Sequence, residues 1–270
     1  MLHWPYVIFM LAAHALALVA VWYTAAVHFS WATMGLAALW YVCCGMSITA
    51  GYHRLYSHVT YRCHAALRAF YLLFGAASGQ NSALKWASDH RRHHAHADKE
   101  EDPININKGF WWAHLGWILQ KDPPPDLSNV RDLEADALVR FQHRYYLPLA
   151  VAVGACLPMA LGQLWGDALG ALLWAGFLRV VLQWHATFLI NSLAHTLGDQ
   201  PHGTTVTARD NFFMSLITFG EGYHNYHHVF PSDYRAGTRW YHFDPTKWWI
   251  WLLARAGIAQ QLRRPKQISS

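Results

Sequence analysis

The sequence predicts an all-α integral membrane protein: four transmembrane helices in two hairpins, with a helical cytosolic cap that holds a metal site. Three observations predict it. Four windows are long and apolar enough to cross a bilayer, the basic residues lie almost entirely outside them, and the histidines of the outside stretches are clustered.

A span needs about 20 mostly apolar residues, and windows 6–27, 31–51, 145–163 and 168–190 meet that need. The links inside each pair, residues 28–30 and 164–167, are so short that each pair must turn back as a hairpin. Both long polar stretches, 52–144 and 191–270, therefore face one compartment, and the whole of 1–270 reads as a single domain. Of the 21 Lys and Arg, 12 lie between Tyr52 and Arg144, 8 follow Ile190 and one is Arg179. Cytoplasmic loops carry such residues, so the cap and both termini are expected in the cytoplasm, at a bacterial inner membrane rather than the endoplasmic reticulum.

Shorter elements follow the same logic. The apolar run from Ala65 to Ala77 is too short to span and contains Arg68, which predicts an interfacial or re-entrant helix. Beyond Pro123, Pro124 and Pro125, the spacing of Leu127, Val130, Leu133, Leu138 and Phe141 predicts an amphipathic helix capped by Asp126 or Ser128. Arg179, inside the fourth window, is expected to pair or snorkel within the bundle, or to orient internal water and carbonyl groups.

Composition narrows the function. With 54% hydrophobic residues and 15 Trp, lipid is part of the solvent. The net charge of +5 fits an anionic membrane surface, and no basic run accompanies a nucleic-acid module, so no nucleic-acid partner is expected. Cys43, Cys44, Cys63 and Cys156 form no CxxC pair, which argues against a disulfide framework or zinc ribbon. The first apolar window lacks a charged leader and a cleavage site, so it is expected to be a retained span.

The 19 histidines carry the chemistry. His53 and His58 stand in HRLYSH, His90, His93 and His94 in HRRHH, and His224, His227 and His228 in HNYHH. In H-x-x-H-H the imidazoles fall at i, i+3 and i+4, one turn apart on one helical face. His53 and His58 are five apart and share no α-helical face, so the second span is expected to end near His53 and turn. Asn191 and His195, at i and i+4, add an amide for a metal-bound water and a ninth imidazole. Imidazole suits iron, zinc, copper and nickel, but one zinc needs three or four ligands. Eight or nine convergent histidines suit two ions. Two irons can be reduced, bind O2 and attack unactivated methylenes; zinc cannot change oxidation state. HExxH is absent, and Glu221 with His224 forms a single ExxH where a carboxylate-bridged bundle needs two. His14, His28, His64, His96, His114, His143, His185, His202 and His242 are expected to be solvent-facing, capping or packed.

These motifs resemble the membrane fatty-acyl desaturases, closest to the delta-9 acyl branch. The resemblance rests on GYHRLYSH at 51–58, DHRRHH at 89–94, NSLAH at 191–195 and GEGYHNYHH at 220–228, and covers most of the chain. It implies a mushroom-shaped fold and a di-iron site. His53, His58, His90, His94 and His227 would hold one iron. His93, His195, His224 and His228 would hold the other, with Asn191 reaching it through water. It also implies a bent acyl tunnel at Gln80, Trp86 and Thr187; Gln80 and Asn81, polar residues that end an apolar run, are placed to bind a headgroup or thioester carbonyl. Animal acyl-CoA desaturases tend to place basic residues where this chain has Ser88 and Gln120, although Asp89 and Lys121 remain. The carrier is therefore open between acyl-CoA, acyl-lipid and acyl-carrier protein. No haem-binding HPGG occurs, so electrons are expected from a separate ferredoxin or cytochrome b5.

The expected reaction is O2-dependent insertion of a cis double bond into a long acyl chain. Alternatives from the same residues are a histidine-box lipid hydroxylase and a membrane protein that handles zinc or nickel. Tyr41, about three turns before His53, stands either at the tunnel end or on a plain apolar helix face.

Overall fold

The computed structural model describes residues 1–121 and 126–265, so Pro123, Pro124 and Pro125 lie outside the described residues. Four helices have the length and composition to cross a membrane: α1 (Trp4–Ala26), α2 (Trp31–Ser57), α7 (Tyr146–Trp165) and α8 (Ala168–His195). Between them lie α3 (Ala65–Ala77), α4 (Ala83–His96), α5 (Arg131–Glu134) and α6 (Ala137–Arg144). After α8 come α9 (Phe212–Ile217), α10 (His224–Val229) and α11 (Pro245–Arg255). A small antiparallel pair, β1 (Arg62–Cys63) with β2 (Ala259–Gln260), ties the two halves of the cap together.

Length separates the inner helices from the outer ones. With 27 and 28 residues, α2 and α8 are longer than the about 20 that a span needs. Their last turns therefore project into the cap, carrying His53 and His195. Helices α1 and α7 are the lipid-facing partners, with 17% of their apolar windows buried against 56% for α2 and 50% for α8.

The two hairpins are joined at Asp167, which is 2% exposed. Gly166, at φ +77°, turns the chain between α7 and α8 in the left-handed region open to glycine. The carboxylate that follows accepts from the Gly170 amide as the cap of α8, and from the hydroxyls of Tyr23 on α1 and Thr33 on α2. One buried acceptor thus fixes the far ends of all three helices.

Two expectations need correction. The second span does not end near His53. Its α-helix passes at Ser47 into a π-helix that continues to Ser57, and the His58 amide donates to the His53 carbonyl at 3.1 Å. In that wider i→i+5 winding, residues five apart are one turn apart, so the spacing that excludes an α-helical face defines a π-helical one. The predicted helix from Leu127 to Phe141 is also broken. Asp126 accepts from the Ser128 amide in a turn, and Asp136 stops the first segment by capping α6 through the amides of Leu138 and Val139. Arg179, 2% exposed, does not snorkel: it donates to the carbonyls of Ala175 and Ala77, the latter at the C-terminal, negative end of α3.

Candidate metal centre

Helices α2, α4, α8 and α10 bring nine histidines into two adjoining groups. One holds His53, His58, His90, His94 and His227; the other holds His93, His195, His224 and His228, with ligand atoms inside each group within 4.8 Å of one another. The pattern H-x-x-H-H acts the same way on both cap helices. On α4, His90 and His94 share a group and His93 turns to the other; on α10, His224 and His228 share a group and His227 crosses over. Each helix thereby serves both groups. The groups touch where His94 and His228 stack, ring centroids 4.3 Å apart.

The nitrogens face inward. In the first group Nε2 of His227 lies 3.0 Å from that of His53 and 3.0 Å from that of His94, and His58 and His90 approach to 2.8 Å. In the second, Nε2 of His224 lies 3.1 Å from those of His195 and His228, and His93 meets His228 at 3.3 Å.

Outer partners favour an Nδ1–H tautomer in three of the nine rings. His53 Nδ1 lies 3.2 Å from Glu221, and His93 Nδ1 lies 2.9 Å from Asp102. His195 Nδ1 donates to the Thr207 hydroxyl, which donates to Asp98. A proton held on Nδ1 leaves the Nε2 lone pair free and aimed at its neighbours, the arrangement found around histidine-bound metals. Burial, then the neighbouring imidazoles, push His58, His90, His94, His224, His227 and His228 well below the ordinary 6.5. These rings are neutral at physiological pH. Neutral lone pairs crowded at about 3 Å repel one another unless a cation lies between them, so the donor set fits metal ions.

Supporting residues hold the outer layer. Glu221, 3% exposed, accepts from Arg54 at 2.9 and 3.1 Å, and Arg54 also pairs with Asp244. Burial alone raises the Glu221 carboxyl, but Arg54 and His53 outweigh it and hold it below its ordinary value. Fully buried Asn225 accepts from the amides of His202 and Gly203 and donates to the carbonyls of Gly203 and Ala208. It thereby anchors the loop that presents Thr207.

A cavity runs from this centre between α2 and α8. His53, His90, His93, Asn191 and His224 line its upper part, Trp86 and Thr187 its middle, and Tyr41, Gly45 and Gln183 its deep end. Gln80 donates to the Thr187 hydroxyl and accepts from the Trp86 indole, locking the cavity wall to α8. Asn81 stands at φ +71°, with its backbone amide on the Tyr146 hydroxyl. Asp89 pairs with Lys85 and Arg92, and Lys121 is exposed beside the N-terminus. None of Gln80, Asn81, Asp89 and Lys121 is among the residues lining the cavity, Gln80 reaching it only through its bonds to Trp86 and Thr187. Of the histidines set apart from the clusters, His64 caps α3 and His143 bonds Ser82, whereas His14, His185 and His114 form a hydrogen-bonded chain to Ser192.

The spacing of the sequence carries no signal for Asp102, which meets His93 from the turn beyond α4, or for Thr207 and Asp98, which meet across the fold. Glu221 was visible only as part of an isolated ExxH.

Comparison with known proteins agrees with this architecture. A probable acyl-CoA desaturase of Schizosaccharomyces pombe is 46% identical over 233 residues, 85% of this chain and 49% of that protein. Acyl-CoA desaturase 1 of Saccharomyces cerevisiae is 45% identical over 231 residues, 84% of this chain and 45% of that protein. Stearoyl-CoA desaturase of Sus scrofa is 38% identical over 239 residues, 86% of this chain and 67% of that protein. The chain spans about half the length of the two yeast relatives. Residues 29–261 match the model of the fatty acid desaturase family, and the chain belongs to that family.

Proposed function

We propose that this protein is an O2-dependent fatty-acyl desaturase that places a cis double bond, at the delta-9 position, in a long-chain acyl group carried by CoA. The observation that carries the reading is the cavity: one continuous wall joins the two histidine groups to the membrane-spanning parts of α2 and α8. The relatives' names, acyl-CoA and stearoyl-CoA desaturase, favour CoA over acyl-lipid or acyl-carrier protein as the carrier.

His53, His58, His90, His94 and His227 would hold one iron, and His93, His195, His224 and His228 the other, with Asn191 bonding a water on the second. Iron in these positions would supply the redox chemistry by which O2, two electrons and two protons from a donor, and two hydrogens from adjacent methylenes give an alkene and two waters. Redox need excludes zinc among the metals that imidazole binds, and the resemblance to the di-iron acyl desaturases favours iron among the rest.

The protein's part is positioning. Glu221, Asp102 and the Thr207–Asp98 pair would keep the Nδ1 protons of His53, His93 and His195 outside, so that the Nε2 atoms of these three rings face inward. Trp86, Thr187 and Gln80 shape the wall against which the acyl chain bends, selecting the bond by position and the cis geometry by shape. Burial excludes bulk water from the reacting carbons. Asn81, Asp89 and Lys121 are proposed to act on the headgroup side of the acyl chain. A separate ferredoxin or cytochrome b5 would dock on the basic cap, which faces the cytoplasm.

Lipid mass spectrometry in a host lacking its own desaturase tests the reading. Wild type is expected to yield acyl chains two hydrogens lighter, and His93→Ala none. Products one oxygen heavier would replace desaturation by hydroxylation.

A further inference from the structure

The deep end of the cavity carries one buried, unbonded amide where a saturated acyl tail would lie. Helices α2 and α8 both rise toward the metal centre, so residue number measures depth. His53, Thr49, Gly45 and Tyr41 descend on one wall, and Asn191, Thr187 and Gln183 on the other. Gln183 stands eight residues, about 12 Å of helix, below Asn191.

Gln183 is 3% exposed and lines the cavity. Among the described residues, neither its Oε1 nor its Nε2 has a hydrogen-bond partner. Two other buried groups on these helices, neither of them lining the cavity, are also incompletely bonded. Arg179, one turn deeper on α8, and Ser47 on α2 are also buried, and Nη2 of the first and Oγ of the second are likewise without partners among the described residues.

A buried amide facing methylenes leaves a donor and an acceptor unmade, whereas one hydroxyl oxygen satisfies both. It accepts from Nε2 and donates to Oε1. Tyr41 does not answer the need, because its hydroxyl donates to the Ile217 carbonyl at 3.4 Å.

We propose that the deep end of this cavity is a hydroxyl-binding subsite in which Gln183 holds one oxygen of an alcohol or water molecule. The proposal rests on reading the cavity as the acyl-chain site. The oxygen has two possible sources: a hydroxyl at the far end of the acyl chain, or an ordered water that a longer apolar chain must displace. In either case an unpaired buried amide discriminates by a factor of about 5 to 150.

The test measures equilibrium binding of palmitoyl-CoA, stearoyl-CoA and 16-hydroxypalmitoyl-CoA to metal-loaded wild type, Gln183→Leu and Gln183→Met. Metal content serves as the check on folding, and two apolar variants guard against the failure of one. If the chain supplies the hydroxyl, wild type binds the hydroxylated probe about 5 to 150 times more tightly than palmitoyl-CoA, and both variants lose that preference. If water is the source, the hydroxylated probe gains nothing, stearoyl-CoA binds wild type more weakly than palmitoyl-CoA, and the variants remove the difference. Equal discrimination among the three probes by wild type and both variants overturns the subsite and leaves the acyl-chain reading standing. Failure of metal-loaded wild type to bind any of the three overturns the acyl-chain reading, and the subsite with it.

Discussion

Replacing Glu221 by Gln removes one charge from the outer layer of the metal centre while preserving its shape. The carboxylate accepts from Arg54 Nε and Nη2 at 3.1 and 2.9 Å and lies 3.2 Å from His53 Nδ1. A glutamine cannot serve both neighbours. With its oxygen toward Arg54, its NH2 meets the Nδ1 proton of His53; with the amide reversed, its NH2 meets the guanidinium. His53 relieves the first conflict only by moving its proton to Nε2, which abolishes the lone pair aimed at the metal. Loss of such outer partners typically weakens metal binding 10- to 100-fold, about 1.4 to 2.7 kcal/mol. The cost to the fold is expected to stay below the roughly 3–5 kcal/mol of a broken buried ion pair. Arg54 keeps Asp244 at 3.0 and 3.2 Å and the Tyr234 carbonyl at 2.8 Å. Competition between the purified variant and a chelator of known affinity measures the effect on iron(II). A variant that binds both ions within twofold of wild type would show that Glu221 does not set the His53 tautomer.

Two further outcomes are expected. The six histidines held well below 6.5 make the metal-free protein acid-sensitive. Below 6.5 the unfolded chain takes up protons that the folded one refuses, so stability falls as the pH drops below 6.5, by about 1.4 kcal/mol per pH unit for each proton by which the two states differ. Above 6.5 these groups add no pH dependence, and a thermal midpoint that stays flat from about pH 7.5 to 5.5 would contradict the assignment. Gly45→Ala places a Cβ 2.3 Å from the Phe219 ring, whose backbone sits at φ +57°. Overpacking of this kind costs about 1–3 kcal/mol and should narrow the cavity. Weaker acyl-CoA binding with metal content retained is the expected result, since His53 lies eight residues above; unchanged binding would place the chain elsewhere.

The membrane architecture and the nine histidines were legible in the sequence because both rest on local properties. A span is a matter of length and apolarity, and H-x-x-H-H places ligands on a helix whatever surrounds it. The four spans and the short helix from Ala65 to Ala77 accordingly appear nearly where hydropathy puts them. Pairing across the fold is a different kind of information. Nothing near His53 announces that Glu221 stands behind it, since those partners meet only after the cap closes over α2 and α8. The π-helical winding from Ser47 to Ser57 is decided the same way, by a wholly buried segment packed against α3 and α4. That winding makes neighbours of His53 and His58, which an α-helix would hold apart. The deep-lying Gln183 reads in sequence as one polar residue in an apolar span. Only the convergence of α2 and α8 turns it into an unpaired amide on the wall of a cavity, because burial and the lack of a partner belong to the packed structure.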